Sequence, residues 1–286
     1  MTMAEVEQAV RTRAAELLES GEVATFLGWE NGRFPHQTTP LVASTAAQAE
    51  KLVWNEYCVN TLAKYTRDLA YRGRVGIVVR GCDSRGIVRL INDKEISRDD
   101  VYLIGVGCPG MRDINDAPLK KCLECRHKNA VLFDEFIGEK VDEVTPDGRF
   151  AEVEAVEAMS QKERAAYFER VYSKCIRCYA CRDVCPCCTC RECFVDARRE
   201  DWVGKQNNLP ENRFYGITRV MHIGDRCIEC GECERVCPMD LPLMTMNRKV
   251  IRDMNDLFGE FESGMEIGET KEKLMTYETS DPEEFM

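Results

Sequence analysis

The sequence predicts two domains of different class, an N-terminal α/β domain with a partly parallel sheet and a C-terminal α+β domain. In the first 150 residues, short apolar runs alternate with helical patterns, which is typical of parallel strands joined by helices. Most of the 17 cysteines instead lie between residues 175 and 237. We therefore divide the chain into an α/β domain (1–150), a helical linker (151–172), a cysteine-rich domain (173–245) and a terminal helix with an acidic tail (246–286).

The α/β domain begins with a helix, because Thr2 and Glu5 have the spacing of a capping box. Val23–Trp29 is predicted to be a strand. The apolar pattern of Ala46–Ala70 predicts one long helix. Cys58 lies in this helix among apolar neighbours, so we interpret it as a core thiol, since free cysteine packs as a small hydrophobic side chain.

A βαβ unit follows, with strands predicted over Arg74–Arg80 and Val101–Gly107 and a helix between them. Such a crossover is long enough to join parallel strands. The first strand leads into Cys82 and the second into Cys108. Adjacent parallel strands would therefore bring both thiols to the carboxyl edge of the sheet, where open α/β sheets hold their ligands.

A Cys-x2-Cys pair, Cys122 and Cys125, follows the second strand and could return to the same edge. Four thiolates would then converge on one metal site. Spacing alone leaves three alternatives open: an iron-sulfur cluster, a zinc ion, which also accepts four cysteines, or buried thiols at strand ends.

The C-terminal domain contains two copies of the pattern C-x2-C-x2-C-x3-C-P, at residues 175–186 and 227–238. This is the bacterial ferredoxin run, in which three cysteines hold one 4Fe-4S cluster and the fourth ligates the other. It predicts a two-4Fe-4S ferredoxin-like α+β domain with crossed ligand sets. One set comprises Cys175, Cys178, Cys181 and Cys237, and the other comprises Cys227, Cys230, Cys233 and Cys185.

Zinc and disulfides explain these repeats less well. Zinc sites typically use C-x2-C pairs, and disulfide frameworks belong to small secreted chains with a higher cysteine fraction. Four further cysteines, Cys187, Cys188, Cys190 and Cys193, follow the first repeat. Three roles stay open for them: a fourth cluster, a zinc knot, or ligand exchange with a neighbouring site. Four cysteines within seven residues could all bind one cubane only with strain in the backbone.

The segments around the ferredoxin repeats carry weaker signals. We interpret the charged residues 151–172 as a solvated helical linker, the aromatic side chains inserted between the repeats as packing residues, and Leu241–Phe258 as an amphipathic helix. The net charge is −11, of which Glu260–Met286 contributes −7. Nucleic-acid binders usually show a basic surface, so no nucleic-acid partner is expected. No apolar leader or spanning run is visible, which predicts a cytoplasmic protein without a membrane span.

The motifs from Val75 to Cys82 and from Tyr102 to Cys108, followed by the Cys122 pair, resemble the beta subunits of coenzyme F-420-reducing hydrogenases and dehydrogenases. That family includes the formate dehydrogenase beta subunits. The resemblance implies that Cys82, Cys108, Cys122 and Cys125 hold a third 4Fe-4S cluster beside a flavin, FAD. Many members carry the ferredoxin segment before the α/β domain, whereas here it follows. This order is similar to electron-transfer subunits of heterodisulfide-reductase-type, hydrogenase and formate dehydrogenase complexes, and no stretch maps onto a flavin site.

Three functions follow from these observations. The first is an iron-sulfur electron-transfer subunit of a cytoplasmic multi-subunit oxidoreductase, with other redox subunits as partners. The alternative is a flavin-dependent subunit that reduces or oxidises a deazaflavin or nicotinamide coenzyme. The third is a structural iron-sulfur module. The sequence shows no convincing acid, base or nucleophile constellation, so no catalytic residue is predicted.

Overall fold

The structure, a computed structural model, describes residues 1–268 except 144, 198, 200 and 205, together with residue 279. These residues form two compact units, one from residues 1–146 and 264–268 and one from residues 147–263. Most of the predicted acidic tail lies outside the described residues. Within the described part of the chain, no helix is both long and apolar enough to cross a membrane.

The first unit is built on a five-stranded sheet whose strands are β1 (Thr25–Asn31), β2 (Thr38–Ala43), β3 (Val75–Val79), β4 (Val101–Val106) and β5 (Glu135–Ile137). Their order across the sheet is β2-β1-β3-β4-β5. β1 pairs with β2 in antiparallel fashion, whereas the β1–β3, β3–β4 and β4–β5 pairs are parallel. The predicted partly parallel sheet is therefore confirmed.

The helices of this unit are α1 (Met3–Glu19), α2 (Ala46–Ala49), α3 (Ala63–Ala70), α4 (Gly81–Asn92) and α5 (Lys120–Leu123), with a 3-10 turn at Arg98–Asp100. The capping box of Thr2 and Glu5 forms as predicted at the start of α1. Every residue of β3 is buried, as expected for a strand whose two neighbours are parallel. Cys58 is fully buried in the same core, which confirms its interpretation as a core thiol.

The single long helix predicted over residues 46–70 is wrong. The chain forms α2, leaves helical structure, and becomes helical again at α3. Between them, Val53 bridges to Trp29 of β1, and the side chain of Asn55 accepts a hydrogen bond from the backbone of Tyr57 at 2.9 Å. The apolar residues of this segment are buried against the sheet, so tertiary contacts override helix propensity.

The helices of the second unit are α6 (Ala151–Glu157), α7 (Gln161–Ser173), α8 (Ala180–Asp183), α9 (Leu209–Ile223), α10 (Glu232–Arg235) and α11 (Leu243–Phe258). Among its described residues there is no strand, so the β component predicted for this domain is wrong there. The cysteine loops turn through left-handed residues, including Arg177, Tyr179, Glu229 and Gly231. Such turns interrupt extended backbone and lead directly into the short helices.

The segment interpreted as a solvated linker is packed instead. It comprises two helices, and Ser160 caps the second with Glu163. Val153 of α6 is buried, and Glu157 forms an ion pair with Lys249 of α11 at 2.8 Å. The charges that made this segment look solvated are therefore partly contacts to α11.

We predict that only glycine fits at position 81 at the carboxyl edge of the sheet, because a Cβ atom there would lie 2.0 Å from the carbonyl oxygen of His127. That carbonyl accepts a hydrogen bond from the Cys125 thiol at 3.3 Å. Gly81→Ala should therefore displace the backbone around Cys125 and lower the free energy of unfolding by about 1–3 kcal/mol, as overpacking does. Chemical denaturation measures this change.

The matched control is Gly21→Ala. Gly21 has a φ of 71° but no atom within 4 Å of the added Cβ, so it should cost only the left-handed strain of about 1–2 kcal/mol. The amount of iron bound per chain distinguishes the two variants, since Gly81→Ala should lose iron and Gly21→Ala should not. Equal iron retention in both variants would refute the role given to Gly81.

Candidate metal centres

A cavity of about 40 Å³ in the second unit brings four predicted ligands together. Three come from the first repeat and the fourth from the second. The cysteines that line it are Cys175, Cys178, Cys181 and Cys237. The cavity exceeds the roughly 10–15 Å³ that one water needs, and its lining is the crossed set that the ferredoxin pattern predicts.

The two repeats fold alike. The third residue of each, Arg177 and Glu229, has φ of 50° and 54°, and the fifth, Tyr179 and Gly231, has φ of 61° and 68°. Left-handed backbone is costly for residues other than glycine and persists where the surrounding structure enforces it, often at functional sites. The shared turns present the three cysteines of each repeat in the same way.

A four-residue helix follows each turn, and α8 and α10 contact one another. The fourth cysteine is the second residue after its helix in both repeats. The backbone N–H of Cys185 donates to the carbonyl of Arg182, and that of Cys237 donates to the carbonyl of Glu234, each at 3.2 Å. The chain therefore leaves α8 and α10 in the same way, and each fourth cysteine is directed away from the triplet of its own repeat.

The second predicted set is Cys227, Cys230, Cys233 and Cys185. Burial raises the pKa of the Cys227 thiol to about 12, and the charges of Cys185 and Cys233 add to that rise. Burial likewise raises the pKa of Cys230, and the charges of Cys185 and Cys233 add to that rise. The first repeat's fourth cysteine therefore lies with the second repeat's triplet.

Two of the four extra cysteines also lie in this neighbourhood. Cys187 is buried and packs with Cys185 and Cys188, and its thiol donates to the carbonyl of Arg226 at 3.0 Å. Hydrogen bonds from Cys187 and Cys188 hold the pKa of Cys185 well below its usual range. Cys190 is exposed. Cys187 and Cys188 thus border the second set, while a separate metal site of Cys187, Cys188, Cys190 and Cys193 stays a prediction.

The third predicted set lies at the carboxyl edge of the sheet. β3 and β4 are adjacent and in register, with Val79 opposite Gly105, so Cys82 in the first turn of α4 and Cys108 after β4 lie at the same edge. Burial raises the pKa of the Cys108 thiol to about 11, with Cys122 and Cys125 among its charged neighbours. Sheet topology therefore brings Cys82 and Cys108 to one edge, and Cys122 and Cys125 lie near enough for their charges to act on Cys108. That the four cysteines bind one metal centre stays a prediction.

A buried ion pair supports this edge. Arg80, only 1% exposed, donates to Asp83 at 2.7 Å and to the carbonyl of Asn60 at 2.8 Å. Asp83 also accepts the backbone N–H of Leu62 at 2.6 Å. Burial raises the pKa of Cys82, and the Arg80 guanidinium opposes that rise. The Cys82–Asp83 motif thus contributes one thiol and one structural carboxylate.

Throughout the described part of the chain, no three or more His, Cys, Asp or Glu side chains are arranged to hold a single metal ion.

Sequence reasoning missed two polar side chains that contact the cysteines. The Tyr215 hydroxyl lies 3.3 Å from the sulfur of Cys181, and the buried amide of Asn247 donates to the sulfur of Cys233 at 3.8 Å. The sequence alone places Tyr215 among the packing aromatics of the insertion. The signal available in the sequence was weak, namely that α9 places Tyr215 and Arg219 on one face at a spacing of four residues.

Comparison with known proteins agrees with the geometry of the second unit. Residues 171–241 match the family model described as the 4Fe-4S dicluster domain. This range includes both repeats, the insertion between them and both crossed cysteine sets. The chain therefore carries a 4Fe-4S dicluster domain.

Relatives of known name extend the comparison. The chain is 38% identical over 94 residues to the F420-dependent formate dehydrogenase subunit beta of Methanocaldococcus jannaschii, covering 32% of this chain but only 24% of that protein. It is 22% identical to the F420-dependent formate dehydrogenase 1 subunit beta of Methanococcus maripaludis, covering 82% of this chain and 84% of that protein. The resemblance predicted from the motifs is confirmed.

Among solved structures, a chain of the xenon-derivatized F420-reducing NiFe hydrogenase complex from Methanosarcina barkeri is similar. It is 20% identical, with a TM-score of 0.32, and the match covers 40% of this chain and 44% of that chain.

Replacing the fourth cysteine of each repeat by serine tests the crossed ligand sets. Cys237→Ser should perturb the cluster of the Cys175 triplet, and Cys185→Ser should perturb the cluster of the Cys227 triplet, because each fourth cysteine lies with the other repeat. Paramagnetic resonance of anaerobically reduced protein, combined with iron analysis, measures the loss. Each variant serves as the control for the other, and damage confined to the variant's own repeat would contradict crossed ligation.

Removing one hydrogen bond to a ligand sulfur should shift one cluster. A donor to a thiolate stabilises the more negative reduced state, so Tyr215→Phe should lower the potential of the Cys181 cluster and Asn247→Leu that of the Cys233 cluster. A hydrogen bond worth about 1 kcal/mol corresponds to about 40 mV for one electron, on the scale of 59 mV per tenfold. Redox titration followed by paramagnetic resonance measures both, and an unchanged potential in both variants would refute the assignment.

Proposed function

We propose that this chain is an iron-sulfur electron-transfer subunit of a multi-subunit oxidoreductase. The observation that carries the proposal is the cavity lined by Cys175, Cys178, Cys181 and Cys237, because cysteines from two distant repeats meet there. The dicluster match over residues 171–241 supports the same conclusion. Clusters bound in this domain would each carry one electron at a potential tuned by charge, hydrogen bonds and burial.

The residues around the two ferredoxin sets are suited to holding clusters rather than substrate. Four thiolates per set leave no coordination position for a substrate on a cubane. Their burial disfavours free thiolates, since it raises the pKa of Cys233 to about 11. Ligation by iron removes those protons, because a metal-bound thiol is deprotonated. The protein's own contributions are to hold the cysteines and to exclude water.

A third 4Fe-4S cluster at Cys82, Cys108, Cys122 and Cys125 is part of the proposal. Three observations support it: the shared edge of β3 and β4, the mutual charge effects of the four cysteines, and the buried Arg80–Asp83 pair beside them. Electrons would enter or leave the chain through partner subunits. The identity of those subunits, an association with heterodisulfide reductase and the cytoplasmic location stay predictions.

The flavin-dependent alternative is favoured by the names of the relatives. Both curated proteins are beta subunits of formate dehydrogenases that depend on F420, a deazaflavin coenzyme. A flavin in this chain would exchange single electrons for a hydride at such a coenzyme. Flavin absorbance in the purified chain, together with oxidation of the reduced coenzyme by the isolated subunit, would establish this alternative in place of a simple conduit.

Anaerobic quantification of iron and sulfide tests the cluster number. Three 4Fe-4S clusters predict about 12 iron and 12 sulfide per chain. Cys125→Ser should lower both to about 8, because one ligand of the third set is lost. Cys58→Ala is the matched control in the same unit, since Cys58 is buried in the core and should leave about 12. A wild-type value near 8 would remove the third cluster, and a value near 0 would refute the proposed function.

A further inference from the structure

Arg219 of α9 is a buried cation at the cavity that holds the first cysteine set. Its side chain lines that cavity with Cys175, Cys178, Cys181 and Cys237, and the residue is only 4% exposed. One terminal nitrogen donates to the carbonyl of Cys181 at 3.2 Å. Its Nε atom is buried and has no hydrogen-bond partner. The guanidinium therefore reaches the cavity with one N–H donor that has no hydrogen-bond partner.

The charges around Arg219 belong to cysteines of both sets. Its largest charge partners are, in decreasing order, Cys233, Cys185, Cys181 and Cys188. Cys181 comes from the first set, whereas Cys233 and Cys185 come from the second. Among the described residues, no carboxylate forms an ion pair with Arg219. Burial raises the pKa of the Cys233 thiol, and the charge of Arg219 and a hydrogen bond from its side chain oppose that rise. The side chain therefore lies against a ligand of each set, Cys181 and Cys233.

Several other buried arginines of the chain are neutralised by carboxylates. Arg80 pairs with Asp83 at 2.7 Å, and Arg177 pairs with Glu211 at 2.9 Å. A buried charge without a partner is strongly unfavourable, so such groups are normally paired. Arg219 departs from this pattern at the place where two sets of thiolates meet.

We propose that Arg219 is the shared counter-charge of the two clusters of the dicluster domain and raises both of their reduction potentials. This inference rests on the proposed function, since it requires bound clusters. A cluster gains one negative charge on reduction, and a fixed positive charge nearby stabilises the reduced form. Because Arg219 faces ligands of both sets, one substitution should move both potentials in the same direction.

The test compares three variants of the full chain, purified anaerobically. Arg219→Gln removes the charge but keeps a side-chain amide that can donate to the Cys181 carbonyl. Arg219→Lys keeps the charge without the planar fork of donors. Arg213→Gln, the matched control, removes the same formal charge from the same helix at a side chain that is 45% exposed, where solvent screens it.

Each sample is first assayed for iron and sulfide and then titrated potentiometrically under paramagnetic resonance. Arg219→Gln should disfavour reduction of both clusters by about tenfold each, which is a fall of 59 mV for one electron. Arg219→Lys should retain most of the wild-type potentials, and Arg213→Gln should leave both nearly unchanged. This double shift differs from the single shifts expected for Tyr215→Phe and Asn247→Leu.

The outcomes separate the inference from the proposed function. A wild-type chain without redox-active clusters would refute the function, whereas loaded clusters that do not respond to Arg219→Gln, or a shift in one cluster alone, would overturn only the role of Arg219. If Arg219→Gln loses its clusters while Arg219→Lys keeps them at wild-type potentials, the positive charge is needed and the inference stands. Loss of both clusters in both variants would show that the guanidinium hydrogen bond matters rather than the charge, and would overturn it.

Discussion

The exchange of the fourth cysteine between the two repeats is the constraint on which the second unit depends. Cys237 lies with the triplet of the first repeat, and Cys185 lies among the charges of the second. Neither of the two predicted ligand sets is complete until cysteines about 40–60 positions apart in the sequence have met. Closing a loop of that length carries an entropy cost, and metal ligation supplies a binding free energy that becomes folding free energy.

The insertion between the repeats places side chains beside the two cysteine sets. Its helix α9 is held against the first repeat by Asn212, whose amide donates to the carbonyls of Tyr172 and Cys175 at 3.1 and 2.9 Å. Gly216 allows the close approach, because a Cβ atom there would lie 2.2 Å from the Tyr172 ring. With α9 fixed in this way, Tyr215 and Arg219 point at the ligand sets. The insertion therefore completes the surroundings of the clusters.

Local spacing predicts which cysteines of the first set lie together, whereas the features set by tertiary contacts cannot be read from the sequence. The two C-x2-C-x2-C-x3-C-P runs, and the strand ends at Cys82 and Cys108, are short-range signals with a direct geometric meaning. The helix predicted over residues 46–70 failed because Val53 pairs with Trp29 across the chain. The roles of Tyr215, Arg219 and Asn247 were invisible for the same reason, since each acts on a cysteine distant in sequence.

The buried arginines beside the cysteines of the two units differ in which groups balance their charge. In the first unit, Arg80 lies beside Cys82 and Cys108 but is already paired with Asp83, so it adds a dipole rather than a net charge. In the second unit, Arg219 has cysteines as its main charge partners. Since the interaction of a net charge falls off more slowly with distance than that of a neutral pair, one arginine can act on two ligand sets. Lys121 and Arg85 also act on cysteines of the first unit, so the contrast holds between the two arginines, one neutralised by a carboxylate and one facing cysteines, and not between the units as a whole.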